Sequence, residues 1–360
     1  MMAVAPILIM AGGTGGHVFP ALAVANELRA RGVPVVWLGT RAGIEARLVT
    51  QAGYQIEWLS ITGLRGKNTA TLMLAPIRLV IACVQALRVL LQRKPGAVLG
   101  MGGFVAGPGG LMAWLTRRPL IIHEQNAVAG LTNRLLSRVA NQVLEAFPGT
   151  FDDSVAAVGN PVRKEIQRLP DPRSRIANRK DALQLLVIGG SLGAQRLNEI
   201  VPEAIGFMLE DARPRVLHQT GRAKLEMTRQ RYNDSGVEAR IEEFIDDMAA
   251  AYGWADLVIC RAGAMTVFEL AAAGVASILV PYPYAVDDHQ TANAQYLADA
   301  GAAIVKQQRD LTSEWLSETI AEMARQRDRL VSMANAARRI AKPDAASQVA
   351  DCCMQAGGMA

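Results

Sequence analysis

Two glycine-rich turns, about half the chain apart, carry the residue types best suited to bind an anion. The first is Gly12-Gly13-Thr14-Gly15-Gly16, followed at once by His17, and the second is Gly189-Gly190-Ser191-Leu192-Gly193. Each follows an apolar strand candidate, Pro6–Met10 or Leu183–Ile188, and opens a helix. Glycine lets a ligand approach bare backbone N–H groups, and a helix start favours negative charge. We expect a phosphate-bearing substrate held between two domains, because packing gives no evident reason for so many glycines.

Further polar residues follow strand candidates where each strand ends. The run His123-Glu124-Gln125-Asn126 follows the strand Pro119–Ile122, and we interpret it as a sugar-facing loop, with a plain solvated loop as the alternative. Since a general base needs a titratable side chain at the reacting centre, His17 and Glu124 are rival candidates. His17 could instead be a simple hydrogen-bond donor at the start of its helix.

A third helix start lies in the second half of the chain. Ala264-Met265-Thr266-Val267-Phe268-Glu269 follows the strand Leu257–Cys260, at the edge where open α/β sheets bind ligands. Glu269 could accept two hydrogen bonds from a ribose diol. The alternative is that it only complements the helix dipole.

Three other kinds of site stay open on the residues alone. Gly189–Gly193 matches the G-x-S-x-G nucleophile elbow of hydrolases, with Asp287, Asp288 and His289 downstream as possible partners. A nicotinamide site fits loosely, but Val18 stands where a third glycine should be, and the second strand ends without an acid. The chain has no Asp-x-Asp, so we expect no metal, with Arg163 and helix N-termini stabilising a leaving diphosphate.

Length and composition predict two domains. The chain has 360 residues, of which 51% are hydrophobic and 20% charged, so each half can bury a core. Strands alternate with helices in both halves, which indicates βαβ units and parallel sheets. We expect one domain at residues 1–162, a second at 163–340, and a last helix at 341–360 that packs back on the first domain.

Charge and cysteine content limit the partners and the compartment. The net charge of +5 is mild, and aromatic residues make up only 5% of the chain, so we expect no nucleic-acid partner. Four cysteines without zinc-type spacing, and no signal peptide, favour a reducing cytoplasm.

The segment Leu72–Leu91 is strongly apolar, but Arg78 and Arg88 interrupt it. Its uninterrupted runs are too short to span a bilayer. Its flanks are basic, at Arg65, Lys67, Arg93 and Lys94. A helix of this kind either docks on anionic lipid headgroups or is a buried core helix.

Eight motifs, in order along nearly the whole chain, together resemble one family, the MurG family of bacterial glycosyltransferases that make lipid II. They are Gly12–His17, Gly100-Met101-Gly102-Gly103-Phe104, His123–Asn126, Gly159-Asn160-Pro161-Val162-Arg163, Gly189-Gly190-Ser191, Phe244-Ile245-Asp246-Asp247-Met248, Arg261–Ala264 with Thr266 and Glu269, and Asp287–Gln290. Phe268 and Ala129 depart from the residues expected at their positions.

The resemblance implies the GT-B fold, an α/β architecture of two Rossmann-like parallel-sheet domains separated by a cleft. It implies transfer of GlcNAc from UDP-GlcNAc to the C4 hydroxyl of MurNAc in undecaprenyl-diphospho-MurNAc-pentapeptide, called lipid I. The anomeric centre inverts, and neither a metal nor another cofactor takes part. The enzyme is expected at the cytoplasmic face of the inner membrane, held peripherally by Leu72–Leu91 and the flanking basic residues on an anionic lipid surface.

The resemblance also assigns roles to individual residues. The donor should lie mainly on the second domain. There Ile245 is expected to bind uracil through its backbone, and Glu269 to hold the ribose. Ser191 and the start of a helix are expected to surround the diphosphate. The donor residues of that helix start are Ala264, Met265, Thr266, Val267 and Phe268. On the acceptor side the family implies Thr14, Gly15, Gly16, His17 and Glu124. Asn126, Arg163 and Gln290 are expected to contact phosphate or sugar.

Overall fold

The computed structural model describes residues 4–62, 74–177, 179, 181–190 and 193–359. The chain divides into two compact units. Unit 1 comprises Met1–Arg163 and Lys342–Ala360, and unit 2 comprises Lys164–Ala341.

Unit 1 alternates strands with helices from its first residues. Its strands are β1 Ile7–Met10, β2 Val35–Gly39, β3 Gln55–Trp58, β4 Ala97–Gly100, β5 Leu120–Glu124, β6 Gln142–Glu145 and β7 Ala156–Ala157. The helices between them are α1 Gly15–Ala30, α2 Glu45–Gln51, α3 Ala75–Arg93, α4 Ala106–Leu115 and α5 Leu131–Leu136. The sheet order is β3-β2-β1-β4-β5-β6-β7, and every pair is parallel. Because β1 and β4 are neighbours but not consecutive, the strand order reverses there, where such sheets bind ligands.

Unit 2 repeats the plan. Its strands are β8 Gln184–Ile188, β9 Arg215–Gln219, β10 Arg240–Glu242, β11 Leu257–Cys260, β12 Ala276–Leu279 and β13 Ala303–Val305. Its helices are α6 Lys164–Gln167, α7 Pro172–Ile176, α8 Gln195–Gly206, α9 Leu225–Asp234, α10 Met248–Trp254, α11 Ala264–Ala273, α12 His289–Asp299, α13 Ser313–Arg325 and α14 Arg327–Arg339. The sheet order is β10-β9-β8-β11-β12-β13, all parallel, with the reversal between β8 and β11.

The central strands β1, β4, β8 and β11 are buried at every position. This is the pattern of a parallel sheet covered by helices on both faces. The predicted pair of Rossmann-like parallel-sheet domains is therefore confirmed.

The last helix, α15 Ala345–Ala356, belongs to unit 1 and packs on α1. Its Val349, Ala350 and Cys353 are fully buried and join the core that lies beneath α1. At the surface, Arg31 of α1 donates to Ser347 Oγ at 2.6 Å and pairs with Asp351.

The helix that the first glycine turn opens begins at Gly15, directly after Thr14. The strand predicted to end at Ile122 runs on through Glu124, so His123 and Glu124 are part of β5.

Helix α3 is the described part of the apolar segment Leu72–Leu91; Leu72, Met73, Arg65 and Lys67 lie outside the described residues. By length and composition alone, α3 is long and apolar enough to cross a membrane. The alternative of a buried core helix is wrong, because only 22% of its apolar window is buried. Ala82, Ala86, Val89 and Leu90 face inwards.

The exposed side of α3 continues onto its neighbours, since α3 packs on α4 and α4 packs on α5. We call the exposed apolar residues of these three helices the apolar face of unit 1. They are Ile77, Leu79, Val80, Ile81, Val84 and Leu91 on α3, Leu111, Trp114 and Leu115 on α4, and Leu131 and Leu135 on α5. The contribution of α4 and α5 was not predicted from the sequence.

Candidate active site

The first glycine turn of unit 1 joins β1 to α1. Gly13 has a φ of +93°, which favours glycine, and Thr14 is the extended residue from which α1 starts. The first N–H groups of an α-helix have no partner inside the helix, so Gly15 and Gly16 present donors at this edge of the sheet.

A buried carboxylate, Glu45 on α2, holds this turn in place. Its Oε2 accepts from the Gly13 N–H at 3.0 Å, and its Oε1 accepts from the Thr40 N–H and hydroxyl at 2.9 and 2.7 Å. A carboxylate can accept several hydrogen bonds at once, so one side chain fixes two loops. Sequence reasoning missed Glu45, because nothing in a short helix 32 positions from Gly13 indicates this contact.

The glycines of both turns have a packing reason, contrary to expectation. A Cβ atom on Gly12 would lie 2.6 Å from Glu45 Oε1, and one on Gly103 would lie 2.7 Å from the Gly12 carbonyl oxygen. In unit 2 a Cβ on Gly193 would lie 2.0 Å from the Thr220 carbonyl oxygen. Close packing therefore requires glycine at Gly12 and Gly193 of the two turns, and at Gly103 beside the first turn, whether or not a ligand also binds there.

His17 lies in the first turn of α1 and is half-buried. Its Nδ1 is 2.8 Å from Gln125 Oε1. The ring packs against Gly102, where a Cβ atom would come within 2.9 Å of His17 Cε1. His17, Gly102 and Gln125 follow β1, β4 and β5, three adjacent strands of one sheet. The structure thus brings the histidine candidate to the reversal point of the sheet.

The run His123–Asn126 is not a solvated loop, and a sugar contact of this run stays a prediction. His123, Glu124 and Gln125 are 0%, 2% and 1% exposed, and Asn126 alone is half-buried. These polar residues can be buried because each finds a hydrogen-bond partner inside the unit, which lets the strand continue.

Glu124 accepts four hydrogen bonds, three from the loop that follows it and one from Asn133 on α5. Its Oε1 takes the N–H and side-chain amide of Asn126 at 3.0 and 3.2 Å. Its Oε2 takes the Gly130 N–H at 3.1 Å and Asn133 Nδ2 at 2.9 Å. A carboxylate occupied in this way organises the loop, so the geometry favours His17 over Glu124 as the general base.

Arg163 closes unit 1 beside the first glycine turn. Its guanidinium carbon lies 5.3 Å from the centre of the Phe19 ring on α1, within the range of a cation–π contact. This places a cation close to the start of α1.

In unit 2 the second glycine turn joins β8 to α8. Gly190 and Gly193 have φ values of +77° and +69°. Ser191 and Leu192 lie outside the described residues, so the contact predicted for Ser191 stays a prediction.

A buried network lies behind the second glycine turn. Asn198 Nδ2 donates to the Thr220 carbonyl at 3.0 Å, and Asn198 Oδ1 is 3.1 Å from His218 Nε2. His218 Nδ1 is 2.9 Å from the Tyr232 hydroxyl. Burial lowers the pKa of His218 to about 3, so this ring is neutral at pH 7.

Helix α11 begins at Ala264 after the extended residue Gly263. Glu269 lies on its second turn, is 8% exposed, and accepts from the Tyr252 hydroxyl at 3.1 Å. Val267 and Phe268 are 0% and 1% exposed, and Phe268 stacks on Tyr296. Both side chains belong to the core behind the helix start, and the ligand contact expected of this segment stays a prediction.

Ile245 and Gln290 lie near the ends of other elements of unit 2. Ile245 is 5% exposed and follows β10, so a contact through its backbone stays a prediction. Gln290 is in the first turn of α12, and its Oε1 accepts from the Tyr282 N–H at 2.9 Å.

Within the described part of the chain, no group of three or more His, Cys, Asp or Glu side chains is placed to hold a metal ion.

Comparison with known proteins identifies the family. The N-terminal domain of glycosyltransferase family 28 matches residues 7–145, and the C-terminal domain of that family matches residues 184–349. The UDP-N-acetylglucosamine--N-acetylmuramyl-(pentapeptide) pyrophosphoryl-undecaprenol N-acetylglucosamine transferase of Methylococcus capsulatus is 56% identical, covering 98% of this chain and 99% of its own. The enzyme of the same name from Nitrosococcus oceani is 54% identical, covering 97% and 98%.

A solved structure agrees. The crystal structure of Acinetobacter baumannii MurG is 45% identical, with a TM-score of 0.83, covering 97% of this chain and 99% of its own. The chain belongs to the MurG family. The prediction of a glycosyltransferase is confirmed, and membership of this family settles the choice against a serine hydrolase and a nicotinamide enzyme.

Proposed function

We propose that this MurG-family enzyme transfers GlcNAc from UDP-GlcNAc to the C4 hydroxyl of MurNAc in undecaprenyl-diphospho-MurNAc-pentapeptide, forming lipid II. The observation that carries the proposal is the 56% identity, over nearly the full length of both chains, to an enzyme named for this reaction. The C4 oxygen attacks the anomeric carbon as the bond to UDP breaks, so the configuration inverts. No metal takes part.

We assign the acceptor side to unit 1 and the proton transfer to His17. His17 is half-buried at the start of α1, beside the donors of Gly15 and Gly16. An imidazole is a suitable base near pH 7, because its ordinary pKa lies close to the working pH. Thr14, Asn126 and Arg163 of the same unit are assigned to sugar or phosphate contacts.

We assign the donor to unit 2. The second glycine turn with Ser191, and the start of α11 at Ala264–Thr266, supply donors for the diphosphate, since helix N-termini stabilise negative charge without an ion. Glu269 holds the ribose, and the Tyr252 hydroxyl orients its carboxylate. Ile245 reads uracil through its backbone, and Gln290 contacts phosphate or sugar.

Isothermal titration calorimetry with UDP-GlcNAc, combined with assay of UDP release, tests these assignments. Glu269→Ala should weaken UDP-GlcNAc binding about tenfold or more, because hydrogen bonds to a charged group are worth roughly 1.5–3 kcal/mol. Glu226→Ala, at an exposed glutamate of α9, is the control and should bind normally. Equal affinity of the Glu269 variant and the wild type would contradict the ribose assignment.

The acceptor is tested by supplying two lipids separately. Lipid I should support release of UDP, and diacylglycerol should not. Activity with diacylglycerol alone would overturn the proposal in favour of a different lipid glycosyltransferase. Addition of EDTA should leave the rate unchanged, and abolition of activity by the chelator would contradict the metal-independent mechanism.

We further propose that the apolar face of unit 1 docks on the anionic cytoplasmic leaflet, which places the enzyme peripherally at the inner membrane. In support, eleven large apolar side chains of α3, α4 and α5 are exposed there, and Arg78, Arg88, Arg117 and Arg138 lie on or beside the same helices. Exposed apolar patches rimmed by cations favour contact with anionic lipid.

A further inference from the structure

Three side chains of unit 1 form one continuous hydrogen-bonded chain that ends at His17. The Gly159 carbonyl oxygen is 2.9 Å from His123 Nε2. His123 Nδ1 is 3.0 Å from Gln125 Nε2, and Gln125 Oε1 is 2.8 Å from His17 Nδ1. We call His123 and Gln125 the relay.

The chemistry of these groups fixes the position of each proton. A carbonyl oxygen only accepts, so His123 Nε2 carries a proton and donates to Gly159. Burial lowers the pKa of His123 to about 4, so the ring is neutral at pH 7 and has one proton. His123 Nδ1 is therefore an acceptor, and the amide nitrogen of Gln125 donates to it.

The orientation of the Gln125 amide follows from the same contacts. Its Nε2 donates both to His123 Nδ1 and to the His123 carbonyl oxygen, the latter at 2.9 Å, which uses both amide protons. Its Oε1 must then face His17. Because an amide oxygen only accepts, His17 Nδ1 carries the proton, and the lone pair of a neutral His17 is on Nε2.

The relay is held rigidly. His123 and Gln125 are 0% and 1% exposed, so water does not compete for their hydrogen bonds. The Gln125 carbonyl accepts from Asn160 Nδ2 at 2.9 Å, and the His123 carbonyl accepts from Asn133 Nδ2 at 3.2 Å. Gly102 leaves room for the His17 ring, since a Cβ there would lie 3.0 Å from Nδ1.

We propose that His123 and Gln125 are positioning residues that hold His17 in the tautomer with the proton on Nδ1 and the lone pair on Nε2. The proposal rests on the assignment of His17 as the base of the proposed reaction. Neither residue of the relay touches the substrate. They act by fixing which nitrogen of His17 accepts the proton and where that nitrogen points.

In the reaction, the proton of the C4 hydroxyl passes to His17 Nε2 while the bond from the C4 oxygen to the anomeric carbon forms. The bond from that carbon to the phosphate oxygen breaks, and its electron pair leaves with UDP. His17 becomes a cation that still donates from Nδ1 to Gln125 Oε1. A charged donor strengthens this hydrogen bond, so the relay stabilises the cation as it forms.

Nitrogen NMR of ¹⁵N-histidine-labelled enzyme tests the tautomer directly, without lipid I. The chain has only four histidines, so the signal of His17 is assigned by its loss in His17→Ala. The wild type should show His17 protonated on Nδ1 at neutral pH. A His17 ring protonated on Nε2 would overturn the relay, even in an enzyme that makes lipid II.

Two substitutions at His123 distinguish an effect on the hydrogen bonds of the relay from a general effect on packing. In His123→Asn the amide oxygen stands near the place of Nδ1, so it still accepts from Gln125. In His123→Gln the amide nitrogen stands near the place of Nε2, so it keeps only the bond to Gly159. The relay predicts that His17 keeps its tautomer in His123→Asn and loses it in His123→Gln. The reverse order would contradict the proposal.

Gln125→Met removes both the amide nitrogen that donates to His123 and the amide oxygen that accepts from His17, while keeping the length of the side chain. It should lower kcat about 10- to 100-fold, less than the loss of the 10²–10⁴ that a general base contributes, because His17 itself remains, with little change in KM for UDP-GlcNAc. Gln142→Met, on β6 of the same sheet, is the control and should keep kcat. Circular dichroism and the NMR spectrum confirm folding of each variant.

A normal kcat in folded Gln125→Met would overturn the positioning role. If the wild type makes no lipid II, the proposed function fails instead, and the tautomer measurement still decides the relay by itself.

Discussion

Two buried carboxylates of unit 1 bind backbone N–H groups. Glu45 accepts from Gly13 and Thr40, and Glu124 accepts from Asn126 and Gly130. Each therefore fixes the loop that follows a strand at the ligand-binding edge of the sheet. In the proposed function, these acidic side chains shape the backbone that a substrate meets, and proton transfer is assigned to His17.

Glu45→Gln should loosen the first glycine turn. The new amide places an N–H₂ group against either the Gly13 N–H or the Thr40 N–H, so one buried donor loses its acceptor. We expect the free energy of unfolding of unit 1 to fall by roughly 2 kcal/mol, the cost of an unsatisfied buried donor, and kcat to fall with it. Urea denaturation and UDP release measure the two effects.

The control for this prediction is Glu226→Gln, at an exposed glutamate of unit 2. It should change neither the free energy of unfolding nor kcat. Wild-type stability in Glu45→Gln would show that the turn does not depend on the carboxylate.

Tyr252→Phe removes the hydroxyl that donates to Glu269 and keeps the ring. Because this hydroxyl acts on the ligand only by orienting the Glu269 carboxylate, we expect UDP-GlcNAc affinity to fall less than in Glu269→Ala, about two- to tenfold. Calorimetric titration measures the change, and Tyr296→Phe, which loses a hydroxyl donating to Ile340, is the matched control. Unchanged affinity in Tyr252→Phe would contradict an orienting role for this hydroxyl.

At the scale of elements, the apolar face of unit 1 makes a prediction about membranes. Leu79→Glu combined with Val80→Glu places two charges on the exposed side of α3. Burying one apolar side chain is worth about 1.5–3 kcal/mol, so binding to vesicles containing phosphatidylglycerol should weaken at least tenfold. Sedimentation with vesicles measures this, and UDP-GlcNAc binding should stay unchanged.

Leu209→Glu is the control for this change, because Leu209 is 78% exposed but belongs to unit 2. It should leave vesicle binding intact. Equal loss of vesicle binding in both variants would show that added negative charge weakens binding wherever it is placed, and it would contradict docking through the apolar face.

The sequence predicted most strands and helices because local signals specify them. Apolar runs such as Leu257–Cys260 are long enough for a buried strand, and glycine turns mark the helix starts that follow. The end of β5 could not be predicted, since His123 and Glu124 are polar and only their partners across the fold make burial favourable.

The sequence predicted individual residues of the candidate site, but it did not predict the hydrogen bonds that join them. His17 was visible because it adjoins a glycine turn, but its partner Gln125 lies 108 positions away. Nothing in the sequence indicated that Glu45 contacts the first glycine turn. Val267 and Phe268 were assigned to the ligand by their place in a motif; their side chains pack into the core, and the ligand contact of this segment stays a prediction.

For the whole molecule, two buried histidines predict how stability depends on pH. Burial lowers the pKa of His123 to about 4 and that of His218 to about 3, against 6.5 when exposed. At pH values between the folded and unfolded pKa of each histidine, the unfolded chain binds more protons than the folded chain. The contribution of each histidine to the free energy of unfolding is therefore fully present above pH 6.5 and is lost as the pH falls. Each histidine contributes about 1.4 kcal/mol per pH unit in that window.

His218→Gln removes one of these titrations and keeps a donor for Asn198. The loss of unfolding free energy between pH 7 and pH 5 should be smaller in this variant by roughly 2 kcal/mol. Urea denaturation at both pH values measures the difference. An identical pH dependence in variant and wild type would show that His218 does not resist protonation in the folded state.

The return of α15 to unit 1 makes unit 2 an insertion within the chain of unit 1. During synthesis, residues 164–341 are made before Val349, Ala350 and Cys353 can complete the core of unit 1. Unit 2 is continuous in sequence, so all of its strands and helices leave the ribosome before α15 is made. An expression fragment ending at residue 163 leaves the covered side of α1 open to water, so a soluble version of unit 1 should have residues 342–359 joined back through a linker.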